Sequence, residues 1–188
     1  MRYAAEHNDE TRERIVAAAS RLFREHGIAA VGLAKVMAEA DLTVGTFYTH
    51  FKSKEALVQE ALIQARNNEL EEALGAGELE AAIRAYLSPG HRDSAGDGCP
   101  AAALASEVAR HPRATRQKFA TDLEPRIETF AKLLSARRGK KVSHAEATAF
   151  FGLLVGTVQL ARATPERAES DAILEAGVRA ALRLATSA

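Results

Sequence analysis

Hydrophobic residues recur with helical spacing along most of the chain. Residues 9–26 place five apolar side chains at the i, i+3, i+4, i+7, i+8 positions of one helix face: Ile15, Ala18, Ala19, Leu22 and Phe23. Asp9 or Thr11 is a suitable N-cap for this helix, and Gly27 is a suitable end. We find no convincing β-strand pattern, so the sequence predicts an all-α protein of about nine helices.

Capping and turn residues divide the rest of the chain into eight further helices. Seven of the predicted spans are about 33–40, 43–51, 78–87, 100–110, 113–137, 143–163 and 165–186. The eighth begins at Ser53, continues toward the break at Gly75–Gly77 and is expected to turn Ala65 inward. Pro125 is expected to kink or split the helix over 113–137. Residues 88–100 are rich in Pro, Gly, Ser and Asp, which predicts a loop.

The second and third helices have helix-turn-helix spacing, because only a short turn at Asp41–Leu42 separates them. At about 100° per residue, one face of the third helix carries Thr43, Phe47 and Phe51 and is expected to point inward.

The opposite face of the third helix carries small and polar residues: Gly45, Thr46, Tyr48 and Thr49. Hydroxyl and methyl groups of this kind can contact phosphates and base edges in a major groove. The spacing alone describes a small helical packing unit equally well.

Composition changes this interpretation little. The 188 residues are 47% hydrophobic and 27% charged, with a formal net charge of zero, and the first 58 residues are also balanced. A phosphate-binding surface must therefore come from a local cluster of basic residues. The segment from Thr43 to Lys54 contains no acidic residue, but it contains His50, Lys52 and Lys54. The single cysteine, Cys99, excludes an internal disulfide bond.

Residues 33–58, LAKVMAEADLTVGTFYTHFKSKEALV, together with a preceding helix that carries Phe23 and Gly27, resemble the DNA-binding unit of the TetR family of bacterial transcriptional regulators. The family motif is close to Gly-Thr-(Phe/Leu)-Tyr-x-(His/Tyr)-Phe-x-(Ser/Asn)-Lys-(Glu/Asp)-x-Leu, and the chain matches it from Gly45 to Leu57. The resemblance covers about residues 10–60. It implies a helix-turn-helix DNA-binding domain at 1–52 and a ligand-binding and dimerisation domain at 53–188.

By this resemblance, the recognition helix and the residue behind it supply the DNA contacts, namely Thr43, Val44, Gly45, Thr46, Tyr48, Thr49, His50 and Lys54. Three positions depart from the family pattern. Asp41 replaces a common glycine, Val44 replaces a frequent polar or basic residue, and Gly32 replaces a Thr or Ser cap. These departures leave the operator sequence open.

The segment 144–163 is apolar nearly all round, so a helix there must be buried on two faces. One face can pack on its own chain and the other on a partner, although a wholly intrachain core is the alternative. The resemblance implies a homodimer through about 144–163 and 166–186. Such a dimer would read a palindromic operator in double-stranded DNA.

The resemblance also implies a cavity in the middle helices for an unknown small-molecule effector. The candidate lining residues are Tyr86, Leu104, Phe119, Leu123, Phe130, Phe150 and Gln159. Each of them can equally be plain core. The segment around Cys99 resembles a branch of the family in which some members sense oxidants or electrophiles. Cys99 is therefore either a redox switch or a small residue that caps a helix.

Other functions find less support. His91, Cys99 and His111 fit no compact zinc spacing, so we expect no metal, and no motif indicates a cofactor or an enzyme. An architectural DNA-binding protein without a ligand would leave the long second part of the chain unexplained. No signal peptide and no run of about 18 apolar residues is found, so we expect a cytoplasmic protein without a membrane span. The resemblance implies a repressor that a small-molecule ligand releases from its operator.

Overall fold

The computed structural model describes the backbone of residues 2–62 and 68–187, and their side chains except at 2–7 and 68–69. All regular elements within these ranges are helical, which confirms the all-α prediction. The α-helices are α1 (Arg2–His26), α2 (Leu33–Glu39), α3 (Val44–His50), α4 (Lys54–Ala61), α5 (Asn68–Gly75), α6 (Leu79–Tyr86), α7 (Pro89–Asp93), α8 (Pro100–Val108), α9 (Arg113–Arg138), α10 (His144–Ala163) and α11 (Arg167–Thr186), with a 3-10 turn at Ala95–Asp97.

The N-terminal core forms around α1, whose predicted apolar face is buried as the periodicity requires. Helices α2, α3 and α4 cover this face, and Phe23, Phe47 and Leu57 are among its fully buried side chains. Helix α8 adds Leu104 and Val108 to the same core. The N-terminal unit therefore has a hydrophobic centre of its own that also includes one helix from later in the chain.

The second core lies between α6, α9, α10 and α11. Helix α10 is buried along most of its length, and its Phe150 packs near Phe130 of α9 at 5.7 Å between ring centroids. The start of α10 is fixed by a capping box, in which Ser143 and Glu146 satisfy each other's backbone N–H groups. This helix is the centre of the C-terminal part of the fold.

The predicted start of α1 and the predicted end of α4 are both wrong. Helix α1 begins at Arg2, so Asp9 and Thr11 lie inside the helix and not at its cap. The preceding residues include Ala, Glu and Arg, which favour helix and extend it backwards. Helix α4 ends at Ala61, earlier than expected, and the predicted inward position of Ala65 lies outside the described residues.

The loop prediction for residues 88–100 is also wrong, because this segment contains α7 and the 3-10 turn. Ser88 caps α7 by accepting a hydrogen bond from the His91 N–H at 3.1 Å, and Pro89 occupies the first helical position. The Ser-Pro pair was therefore a helix-start signal. The Pro, Gly, Ser and Asp content of the segment predicts a loop, and a helix of five residues is too short to show a periodicity that would oppose this prediction.

Pro125 does not split α9, which runs without interruption from Arg113 to Arg138. A proline inside a helix removes one backbone hydrogen bond. Helix α9 offsets this loss by packing on α4, α8, α10 and α11 along its length. Tertiary contacts have overridden the local preference.

The segment between α7 and α8 is held by a histidine whose two ring nitrogens both have partners. His91 Nδ1 lies 2.6 Å from the Tyr86 carbonyl oxygen, and the Cys99 N–H donates to His91 Nε2 at 3.0 Å. This arrangement requires a neutral ring that carries its proton on Nδ1. Burial lowers the pKa of His91 to about 4, and the charges of Arg162 and Arg126 add to this effect against the Tyr86 hydrogen bond.

We expect acid to destabilise the fold through His91. Its folded pKa of about 4 lies below the ordinary 6.5, so the unfolded chain binds the extra proton first. The contribution to the free energy of unfolding is complete above pH 6.5 and falls as the pH approaches 4. Urea denaturation of the wild type and of His91→Gln across this range should show a shallower pH dependence for the variant. Equal slopes would contradict the assignment.

Candidate nucleic-acid interface

The turn between α2 and α3 depends on an unusual backbone conformation at Asp41. Its φ is +56°, in the left-handed region that glycine adopts at little cost and that Asp tolerates better than most residues. The Leu42 N–H then donates to the Met37 carbonyl at 2.8 Å and closes the turn. This geometry explains why a glycine is expected at the position that Asp41 occupies.

Two phenylalanines fix the inward face of α3. Phe47 and Phe51 are buried, and their rings stack with centroids 5.5 Å apart. The predicted inward face is correct at both residues. Thr43 is exposed, contrary to its predicted inward position, because it precedes the helix in an extended conformation.

Two arginines of α1 form hydrogen bonds with the C-terminal ends of both helices of the helix-turn-helix. The Arg12 guanidinium donates to the His50 carbonyl at 2.6 Å, lies 4.2 Å from the centre of the Phe51 ring, and forms an ion pair with Glu60. Arg14 donates to the Ala40 carbonyl. Cations at helix C-termini satisfy free carbonyls and favour the helix dipole. Sequence reasoning missed both arginines, since their partners lie 38 and 26 residues away.

The outward face of α3 is open to solvent and contains no charged side chain. Tyr48 is 66% exposed and Val44 is 41% exposed, while a Cβ added to Gly45 would meet only the Thr43 hydroxyl, at 3.7 Å. The Thr49 hydroxyl donates to the Thr46 carbonyl at 2.7 Å. The structure therefore brings the predicted residues of α3 together on one surface. At Gly45 the backbone of this surface is not covered by a side chain of its own.

Lys54 and His50 lie at the edge of this surface, and both are half-buried. The Lys54 ammonium donates to the Ile28 carbonyl at 2.6 Å and lies 5.9 Å from the centre of the Phe23 ring. Ser53 caps α4 as predicted, accepting from the Ala56 N–H at 3.1 Å. Lys54 therefore holds the loop before α2 to the start of α4.

The first turn of α4 also contacts the C-terminal part of the chain. Glu55 accepts hydrogen bonds from Thr115 and lies 3.0 Å from His111 Nδ1, at the corner between α8 and α9. Burial alone would raise the pKa of Glu55, but the bonds from Thr115 and His111 outweigh it and lower the pKa. The sequence does not predict this contact, although Glu55 belongs to the motif at 45–57, because His111 and Thr115 are 56 and 60 residues away.

None of the seven candidate effector residues lines a groove that is formed by described residues alone. Tyr86, Phe130 and Phe150 are fully buried in the C-terminal core, and Leu104 packs in the N-terminal core. Phe119 touches both cores, whereas Leu123 and Gln159 are half-buried. Surface grooves of about 850 and 540 Å³ are lined by other residues, the larger between α6, α9 and α11.

Cys99 is 5% exposed and stands immediately before α8, without a side-chain capping bond. The Tyr86 hydroxyl nearby is buried and makes no hydrogen bond of normal geometry with a described residue. Burial raises the pKa of Tyr86 well above its usual value, and the Cys99 side chain adds to the rise. Cys99 is thus a packed residue beside an unsatisfied hydroxyl group.

Among the described residues, no three His, Cys, Asp or Glu side chains come together in a way that could hold a metal ion. His91 and His111 have the partners given above, on different helices. The same residues include no helix long and apolar enough to cross a membrane.

Comparison with known proteins also finds a helix-turn-helix unit in the N-terminal part of the chain. Residues 15–61 match the family model for bacterial regulatory proteins of the TetR family. The uncharacterized HTH-type transcriptional regulator YerO of Bacillus subtilis (strain 168) is 43% identical over 53 residues, which make up 28% of this chain and 18% of that protein. The chain thus matches less than a fifth of the length of this curated relative.

Solved structures resemble the chain over nearly its whole length. SCO4454, a TetR-family transcriptional regulator from Streptomyces coelicolor, is 24% identical, with a TM-score of 0.67 over 95% of this chain and 97% of its own. NemR of E. coli, in its reduced form, is 23% identical, with a TM-score of 0.72 over 93% and 96%. Likenesses at this level of identity establish the shared fold.

The helix-turn-helix, its exposed second helix and these matches define residues 15–61 as a helix-turn-helix unit similar to that of bacterial transcriptional regulators. The chain as a whole shares the fold of solved TetR-family structures, and its residues 15–61 are similar to the family's regulatory proteins.

We expect Asp41→Gly to stabilise the protein, because glycine relieves the positive φ at the turn. The gain should be about 0.5–1 kcal/mol in the free energy of unfolding, measured by urea denaturation. Asp41→Val is the matched control and should destabilise, since a β-branched residue resists this conformation more strongly. A stabilising valine would show that the turn has another geometry in solution.

Proposed function

We propose that this protein is a homodimeric repressor that binds a palindromic operator and is released by a small-molecule effector. Because its target is chromosomal DNA, its place of action is the cytoplasm. Residues 1–52 form the DNA-binding domain in this proposal, and residues 53–188 form the effector and dimerisation domain, with α4 connecting the two.

The outward face of α3 is the observation that carries the DNA-binding part. Tyr48 is 66% exposed although the ring beneath it, Phe47, is fully buried and only 5.2 Å away between centroids. An exposed aromatic residue on a rigid base suits contact with the DNA backbone. The other proposed contacts, Thr43, Val44, Gly45, Thr46, Thr49, His50 and Lys54, surround Tyr48 or border the same surface.

Selection of bound duplexes from a random DNA pool at moderate salt should enrich a palindrome. Tyr48→Ala should reduce the affinity for this palindrome by roughly ten- to hundredfold, without altering the thermal unfolding curve. Tyr48→Phe keeps the ring and removes the hydroxyl group, so it should lose less. Normal binding by Tyr48→Ala would place the interface elsewhere, and the lack of any enriched sequence would contradict operator binding.

Exposed apolar residues on α10 and α11 support the dimer. Leu160 is 64% exposed and Leu184 is 40% exposed, although both are large hydrophobic residues. On α10, Ala149, Gly152 and Gly156 continue the stripe toward the start of the helix, and an added Cβ at either glycine would meet nothing within 4 Å. No described residue therefore fills the space beside these glycines, and small residues there permit close helix approach. A two-fold dimer would cover the stripe.

Leu160→Glu should convert the dimer to a monomer, because the charge would be buried against its own copy. Sedimentation equilibrium would then give 20.2 kDa in place of twice this mass. Val44→Glu, an equally drastic change at an exposed apolar residue outside the stripe, should stay dimeric. A dimeric Leu160→Glu protein would exclude this face.

The effector part of the proposal concerns the C-terminal core. The Tyr86 hydroxyl offers a buried hydrogen-bonding group without a described partner, and Phe130 and Phe150 offer apolar surface beside it. An apolar or aromatic molecule with one polar group matches this combination. Leu104, Phe119, Leu123 and Gln159 would have to shift to complete the cavity. Cys99, before α8, offers a second route for a signal, by oxidation or alkylation.

The contact between Glu55 and the α8–α9 corner supports communication with the DNA-binding domain. Glu55 is next to Lys54, directly after the helix-turn-helix, and His111 and Thr115 belong to the effector domain. Glu107 of α8 makes a second contact, accepting from the Ala29 N–H at 3.1 Å. An effector that moves α8 would thus also move α3. It can shift the equilibrium between the DNA-binding and the released conformation only by the difference between its affinities for the two.

A further inference from the structure

The recognition face of α3 lacks the side chains that read most bases by hydrogen bonding. Between Thr43 and Thr49 there is no Arg, Lys, Asn, Gln, Asp or Glu. Bidentate contacts to guanine need Arg or Lys, and those to adenine need Asn or Gln. Sequence discrimination by α3 must therefore use other chemistry.

The threonine hydroxyls of this face are already occupied within the helix. The Thr43 and Thr46 hydroxyls lie 3.1 Å apart, so that one of them donates to the other, and the Thr49 hydroxyl donates to the Thr46 carbonyl at 2.7 Å. A threonine whose hydroxyl is engaged in this way has its methyl group left for outside contacts. The threonines of this face therefore have fewer free hydrogen-bonding groups for DNA than their number suggests.

Val44 is the apolar centre of the surface. It is 41% exposed and lies one helical turn from Tyr48, beside the open backbone at Gly45. The major groove of B-DNA presents one apolar group on its base edges, the C5-methyl group of thymine.

We propose that Val44 reads a thymine C5-methyl group, so that each half-site has a required thymine beneath it. This inference rests on the proposed operator binding. Tyr48 and the flanking basic residues hold the register by backbone contacts, and the methyl–methyl contact supplies discrimination at that base pair. Thymine is then preferred over cytosine because cytosine has no methyl group at C5.

The test uses the selected palindrome with each thymine replaced singly by deoxyuridine, which removes only the methyl group. At one position in each half-site, the affinity should fall roughly fourfold, the factor that corresponds to one buried methyl-sized group. Cytosine at that position should bind weakly, and 5-methylcytosine should recover part of the loss.

Val44→Ala should remove this dependence. The variant should bind the thymine and deoxyuridine operators at that position equally well, while its thermal unfolding stays as in the wild type because Val44 is exposed. Deoxyuridine without effect at every position, or an effect that persists in Val44→Ala, would overturn the inference and leave operator binding intact. A failure to select any palindrome would instead overturn the proposed function.

Discussion

Seven residues are too few for an α-helix to persist in water on its own, and α3 is stable because the N-terminal core holds it. Burial of Phe47 and Phe51 contributes roughly 1.5–3 kcal/mol for each ring. Arg12 then fixes the last turn of the helix through the His50 carbonyl. The direction in which Tyr48 and Val44 point is thus determined by residues on the opposite side of the same helix.

Periodicity predicted the fold class, the buried face of α1 and the outward side of α3, because each depends on residues within a few turns of one another. It did not predict the partners of Arg12, Lys54 or Glu55, which lie far away in sequence and are chosen by packing. Helix α7 was missed since one turn of helix has too little periodicity to detect. The motif predicts an interface on the outward face of α3, and both this interface and its contacts with DNA remain predictions.

Helix α8 connects the two parts of the molecule because its faces belong to different cores. Leu104 and Val108 pack with the N-terminal helices, whereas Ala101 and Ala102 pack with the C-terminal ones. The buried Arg24 of α1 adds a polar link, donating to the Gly96 carbonyl at 2.7 Å shortly before α8. A rigid element shared in this way cannot move relative to one core without disturbing the other.

The four arginines described in α1 have a consequence for how the protein finds its target. Arg12, Arg14, Arg21 and Arg24 all bond to carbonyls, hydroxyls or carboxylates of the protein itself. Their charge stabilises the domain and is not displayed as a broad cationic surface on a chain that is neutral overall. Non-specific attraction to DNA is electrostatic, so it should be weak here. If the proposed operator binding holds, few molecules would be bound to other sequences of the genome, and a small number of copies could keep one operator occupied.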